Sequence, residues 1–194
     1  MTATTIDRLT APYQATSASY LSHSGAETAV RSLQASGLDL STITIIALDN
    51  ELRNAIRGLY RPTDSNLADA IKDTWITPLF DMLQCDVAFF SNSAVGCLLV
   101  MGRLSRIIAE ATADELADSL VKGLTAAGVP MSRAIAYEAR LRANEFLVLV
   151  HGDPSEVRRA HKVLEDTAPM RLKTHWASND SAGRTVTLGP KYSN

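Results

Sequence analysis

Residues 145–156 read Glu-Phe-Leu-Val-Leu-Val-His-Gly-Asp-Pro-Ser-Glu. The run from Phe146 to Val150 has the length and composition of a buried strand. Asp153, Pro154 and Glu156 then mark a helix start, with an acidic N-cap, proline in the first turn and glutamate at the capping-box position. Val157, Ala160, His161 and Leu164 follow at helical spacing and predict one face of that helix. Pro169 ends it, and Met170–Trp176 is read as a closing strand. The order is strand, helix, strand.

The same order recurs near the front of the chain. Ala15–Leu21 alternates weakly and is read as a strand of poor propensity. Ser24-Gly25-Ala26-Glu27 has the form of a capping box, Ala26, Ala29, Val30 and Leu33 supply a helical stripe, and Gly37 a left-handed stop. Ile43-Thr44-Ile45-Ile46-Ala47-Leu48 is a β-branched run that predicts a buried strand. Two such units point to an α+β fold: a ferredoxin-like β-α-β/β-α-β sheet, antiparallel between neighbours, with helices on one face.

The organisation that follows is a single domain over 1–194. A first α/β unit covers 14–48, a helical insertion 49–143, a second α/β unit 144–176, and a polar tail expected to be mobile 177–194. Within the insertion, Asp49 is read as capping a helix with Leu52, Ile56 and Leu59. Asp64 caps another with Leu67, Ile71 and Trp75, and Thr77-Pro78 opens a third through Met82 and Leu83. Ala94–Ala111 reads as helix. Thr112-Ala113-Asp114-Glu115 is a capping box before Leu116, Leu120, Val121 and Leu124. Gly128 and Pro130 stop that helix, Ser132 starts the next, and Asn144 takes a left-handed stop. The alternative, a doubly wound α/β sheet, requires a strand within the insertion, for which Asp86–Phe90 is the candidate.

Composition narrows the function. Lys and Arg total 19 against 21 Asp and Glu, a net charge of −2, so no global field draws in a nucleic acid. Aromatic residues make up 6%, which leaves few side chains to stack on nucleic-acid bases and assigns the core to Ala, Leu, Ile and Val. Cys85 and Cys97 lie among apolar neighbours and read as buried thiols of a reducing compartment. The N-terminus lacks the basic start and apolar run of a signal peptide. The strongly apolar stretch Ala94–Gly102 is about half of a membrane span. The expectation is a cytoplasmic protein with no membrane or nucleic-acid partner, no metal and no cofactor.

No phosphate-loop, dinucleotide, nucleophile-elbow or zinc-protease motif occurs in the chain. Tyr137-Glu138 stands out because the tyrosine can lie on the sheet with its hydroxyl at an edge; a packing tyrosine beside a salt-bridged glutamate gives the same pattern. Arg133, Arg140 and Arg142 are read as a solvated face, the alternative being an anion site near this helix. His151 and His175, each in a strand of the second unit, would make a metal or base site only if they meet; in ferredoxin-like order their strands are not neighbours. The ligand-binding candidates are therefore Tyr137, Glu138, Arg133 and His151, with no catalytic residue. Ala94, Gly96, Leu99 and Gly102 are read as a close-packing helix surface, serving either the core or a homodimer interface.

Ala126–Val150, with its Gly-Val-Pro loop, the Tyr137-Glu138 helix and the apolar strand, resembles the C-terminal signature of the bacterial general stress protein 17M/YflT-like family. Ala26–Leu48 is similar to that family's opening unit. Asn144 stands where the family has glycine, and only Gly96 and Gly102 remain of its glycine-rich middle. The resemblance implies a stress-associated bacterial protein without assigned catalytic residues. The expected function is thus non-enzymatic and regulatory, exercised as a homo-oligomer through protein or small-ligand binding. The alternative is a small-molecule sensor or enzyme with a cleft between sheet and insertion.

Overall fold

The computed structural model describes residues 14–48, 58–92, 96–112 and 120–175, apart from the side chains at 91, 92, 111 and 112. The elements in order are β1 (Ala15–Tyr20), α1 (His23–Ala35), a 3-10 turn at Leu40–Thr42, β2 (Ile43–Leu48), β3 (Gly58–Tyr60), α2 (Ser65–Ile71) and α3 (Thr77–Leu83). They continue with β4 (Val87–Asn92), β5 (Gly96–Gly102), α4 (Ser105–Thr112), α5 (Leu120–Ala126), α6 (Met131–Arg142), β6 (Phe146–His151), α7 (Pro154–Glu165) and β7 (Arg171–His175).

All seven strands form one open sheet in the order β3-β4-β5-β2-β6-β1-β7, and every neighbouring pair is antiparallel. The doubly wound parallel alternative is thereby overturned. The strands of the two α/β units lie together at one end as β2-β6-β1-β7. The segment 49–143 is not purely helical: it adds β3, β4 and β5 beyond β2.

That correction has a physical cause. Ala94–Gly102 was read as helix because its apolar run has no period to tell a helix from a fully buried strand. Residues 96–102 are instead β5, enclosed on both faces, with Leu99 and Met101 in one core and Leu98 and Val100 in the other. Gly96 and Gly102 bound it, both at φ +103. A Cβ on Gly102 would run into the carbonyl oxygen of Ile43, so only glycine fits where β5 leaves the sheet for α4. Leu59 likewise sits in β3 rather than on a helix, and Asp86–Phe90 largely coincides with β4. The helix expected from Asp49, the Thr112–Glu115 capping box, Ala94, Trp176 and the polar tail lie outside the described residues.

Helices cover both faces, not one. On the first face α1, α2, α3 and α7 enclose Ala18, Tyr20, Ile43, Ile45, Val148 and Val150. On the second, α4, α5 and α6 enclose Ile46, Leu98, Val100, Leu147 and Leu149. Helix ends follow the expected chemistry at α7 and depart from it at α1, α2 and α6, where Met131 rather than Ser132 is the first helical residue. Asp153 and Glu156 form a complete capping box on α7. On α1 the cap is Ser22, whose Oγ accepts from Gly25 N at 3.2 Å; Ser24 is already helical and Glu27 turns to Arg31 at 2.7 Å. Asp64 precedes α2 but accepts from Arg61 N instead of capping it. The α2 helix stops at Ile71, so Trp75 lies beyond it and packs edge-on against Phe146. Gly37, Gly128 and Asn144 all take positive φ at helix ends.

Candidate functional site

β1 runs Ala-Thr-Ser-Ala-Ser-Tyr between β6 and β7, and all six residues are buried. Small residues suit a strand overlain by helices on both sides. Thr16, Ala18 and Tyr20 face α7 and α1, while Ala15, Ser17 and Ser19 face α6. The register places Ala15 opposite both His151 and His175, so the two histidines share the α6 face with β1 between them.

Tyr137 of α6 is 1% exposed and reaches down to this face, its hydroxyl 2.8 Å from His175 Nε2. Ser17 Oγ donates to the Lys173 carbonyl at 3.3 Å and also stands 3.5 Å from the same Nε2, so the imidazole edge is held between two hydroxyls. Burial, then Arg133, Arg140 and Lys173, push the His175 pKa down to about 4. A neutral imidazole is thus held among three cations. The Arg140 guanidinium lies over the Tyr137 ring, 5.7 Å from its centroid. Its Nη1 is shielded from solvent without a hydrogen-bond partner, as are Ser19 Oγ and Glu145 Oε2 on the same face. Burial, chiefly, pushes the Arg140 pKa below its usual range; Tyr137 and then Glu145 favour its charge, while Arg171 and Arg133 oppose it. Cations therefore outnumber carboxylates around His175.

The four ligand candidates do not converge as one group. Tyr137 and Arg133 share a neighbour in His175, and Arg133 itself is exposed. Glu138, the next residue on the helix, turns away to bond Arg142 at 2.8 Å. His151 lies on the far side of Ala15, where burial first and Arg103 second push its pKa down to about 3. Of the interface candidates, Gly96 is exposed at the start of β5, and Leu99 and Gly102 are enclosed within the sheet. Cys85, whose thiol is pushed up to about 12 chiefly by burial, is not joined to Cys97.

The opposite side of β7 carries residues that the sequence reading left out. His161 Nδ1 is 2.8 Å from Thr174 Oγ1, and Thr16 Oγ1 donates to the Lys173 carbonyl at 3.3 Å. Beside them is an open groove of about 490 Å³ lined by Arg158, His161, Lys162, Leu172, Lys173 and Thr174. Its signal was present as Arg158, His161 and Lys162, a spacing that gathers these side chains on one side of α7. Among the described residues no cluster of His, Cys, Asp and Glu could hold a metal ion, and no helix is long and apolar enough to cross a membrane.

This end of the sheet combines donors and positive charge on both faces, an arrangement suited to holding an anion or a carboxylate-bearing chain. The chain has no significant match among protein-family models, curated proteins or solved structures.

Proposed function

We propose that the chain is a non-enzymatic, regulatory or stress-associated binding protein that recognises an anionic ligand at the α6–β7 end of the sheet. The observation that carries this reading is the gathering of Arg133, Arg140, Arg171 and Lys173 around the buried Tyr137–His175 pair, in a chain of net charge −2. Like charges held together by a fold oppose one another, and a bound anion relieves that repulsion. The side chains best suited to proton transfer are already engaged, Tyr137 with His175 and Glu138 with Arg142, which favours binding over catalysis.

We read the architecture behind this function as a ferredoxin-like unit. The order β7-β1-β6-β2 within the seven-stranded sheet, with α1 and α7 on one face, supports it. The resemblance of Ala126–Val150 to the general stress protein family supports the regulatory setting, and a reducing cytoplasm suits the two thiols.

The test is thermal melting of the full chain with inorganic pyrophosphate at low ionic strength. The midpoint rises with ligand concentration, and Arg171→Glu together with Lys173→Glu removes the rise. An unchanged midpoint at millimolar pyrophosphate sinks the reading. Homo-oligomerisation is the second part of the proposal. Leu99 and Gly102 are enclosed, so its surface is assigned to the exposed apolar Met131 and Ile135, one turn apart on α6. Light scattering should show a dimer that Ile135→Asp converts to a monomer.

A further inference from the structure

We propose that the outer edge of β7 takes up an extended acidic segment of a partner protein as an eighth strand. The inference rests on the anion-binding reading above and names the kind of partner. β7 pairs with β1 along one side, and among the described residues no strand lies along the other. Such an edge presents a row of backbone donors and acceptors that an added chain can complete.

The side chains around the edge decide which chain. Arg171, Lys173 and His175 alternate on the α6 face, next to Arg133 and Arg140. Leu172 and Thr174 alternate on the other face, where the groove against α7 is bordered by Arg158, His161 and Lys162. His161 Nδ1 and the Thr174 hydroxyl are 2.8 Å apart, and Thr174 Oγ1 also stands 3.5 Å from Thr16 Oγ1, so the imidazole is fixed in place beside β7. That contact adds a polar ring to the cationic groove lining. An incoming strand would place alternate side chains in this groove and the others over Arg171 and Lys173.

Charged residues on an edge usually block pairing. Here the block is selective by sign. A second copy of β7 would set Arg171 and Lys173 against the same cations, which is destabilising across a strand pair. An acidic strand turns the same contacts favourable. The edge therefore excludes its own copies and neutral strands while admitting carboxylates.

The experiment uses the full chain and three short peptides: alternating glutamate and valine, the same with its central valine replaced by proline, and alternating lysine and valine. Hydrogen exchange and titration calorimetry are read for each. The glutamate peptide slows exchange of the 171–175 amides, and the proline version binds about tenfold or more weakly, since it cannot complete the ladder. Arg171→Glu together with Lys173→Glu weakens the glutamate peptide about tenfold or more, and unchanged binding overturns selection by charge. Equal binding of the glutamate and proline peptides overturns strand addition but leaves anion binding standing. Binding of neither peptide overturns strand addition, and the pyrophosphate melt then decides whether anion binding stands. Slow exchange of the 171–175 amides in the free chain means that the edge is already covered, and also overturns the proposal.

Discussion

The two faces of the sheet are built from the same strands but to different ends. On the face under α1 and α7, β1 contributes Ala18 and Tyr20, β6 contributes Val148 and Val150, and the enclosed cluster is almost wholly apolar. On the face under α6 the same two strands contribute Ser17, Ser19 and His151, and the apolar cluster of Leu147 and Leu149 gives way to cations toward β7. Alternation makes this possible, because each residue on a strand serves one face only. The first face is organised for stability. The second trades part of its apolar contact for polar groups held in place.

Gly102 is where the comparison breaks most severely. It is the point at which the chain leaves β5 and starts across the second face, with Gly102 N bonded to Asp86 O and Arg103 N to Ile43 O. Gly102→Ala forces a side chain into Ile43 O at a φ of +103, and nothing nearby but backbone can yield. The expected loss is on the order of 4–5 kcal/mol in denaturant unfolding. Next in size is a cavity on the first face. Leu164→Ala, from a side chain that is 0% exposed, should cost about 2–5 kcal/mol and leave anion binding unchanged in the folded fraction. That separation of stability from binding sharpens the contrast between the faces.

The first face was also the more legible in sequence. The helical stripe of α1, the complete Asp153–Glu156 box of α7 and the β-branched run of β2 are local signals, and the structure follows them. The displaced cap of α1 shows their limit. Ser22 and Ser24 both suit an N-cap, and Glu27 completes a box with Ser24 on paper but bonds Arg31 one turn on. The insertion was less legible because β5 is buried on both sides, so its residues 96–102 carry no period of two. The flanking glycines were the available clue. At the site, Tyr137 packs onto the sheet with its hydroxyl on His175. The two were not paired from sequence, because that contact joins α6 to a strand 38 residues away through a register that no local pattern encodes.

Acid should distinguish the faces next. His151 and His175 have pKa values pushed down to about 3 and about 4, while an unfolded histidine titrates near 6.5. Between those values the unfolded chain binds protons that the folded one refuses, so stability rises with pH across the window and falls on acidification. Melting temperature should decline from about pH 6.5 toward pH 4, and His175→Gln should flatten part of that slope. Both histidines belong to the second face, so the loss should begin there. Hydrogen exchange of α6 amides ahead of those of α7 is the readout, and the reverse order refutes the assignment.

The smallest effect concerns one hydroxyl. Tyr137→Phe keeps the ring under Arg140 and the volume under α6, but removes the hydroxyl that bonds His175 Nε2. A polar group left without its partner in a buried site costs about 1–3 kcal/mol. The lower end is expected, because Ser17 Oγ stands 3.5 Å from the same nitrogen and can turn to it at the expense of the Lys173 carbonyl. That reorientation would shift a contact on β7 itself, so the variant should perturb Lys173 and its neighbours in amide chemical shifts as well as lowering the melting point. A purely packing role for Tyr137 predicts neither change, since phenylalanine fills the same space. If the melting point and the 171–175 amide shifts are both unaltered, the Tyr137–His175 bond does not organise this face, and the cations there are held by the sheet alone.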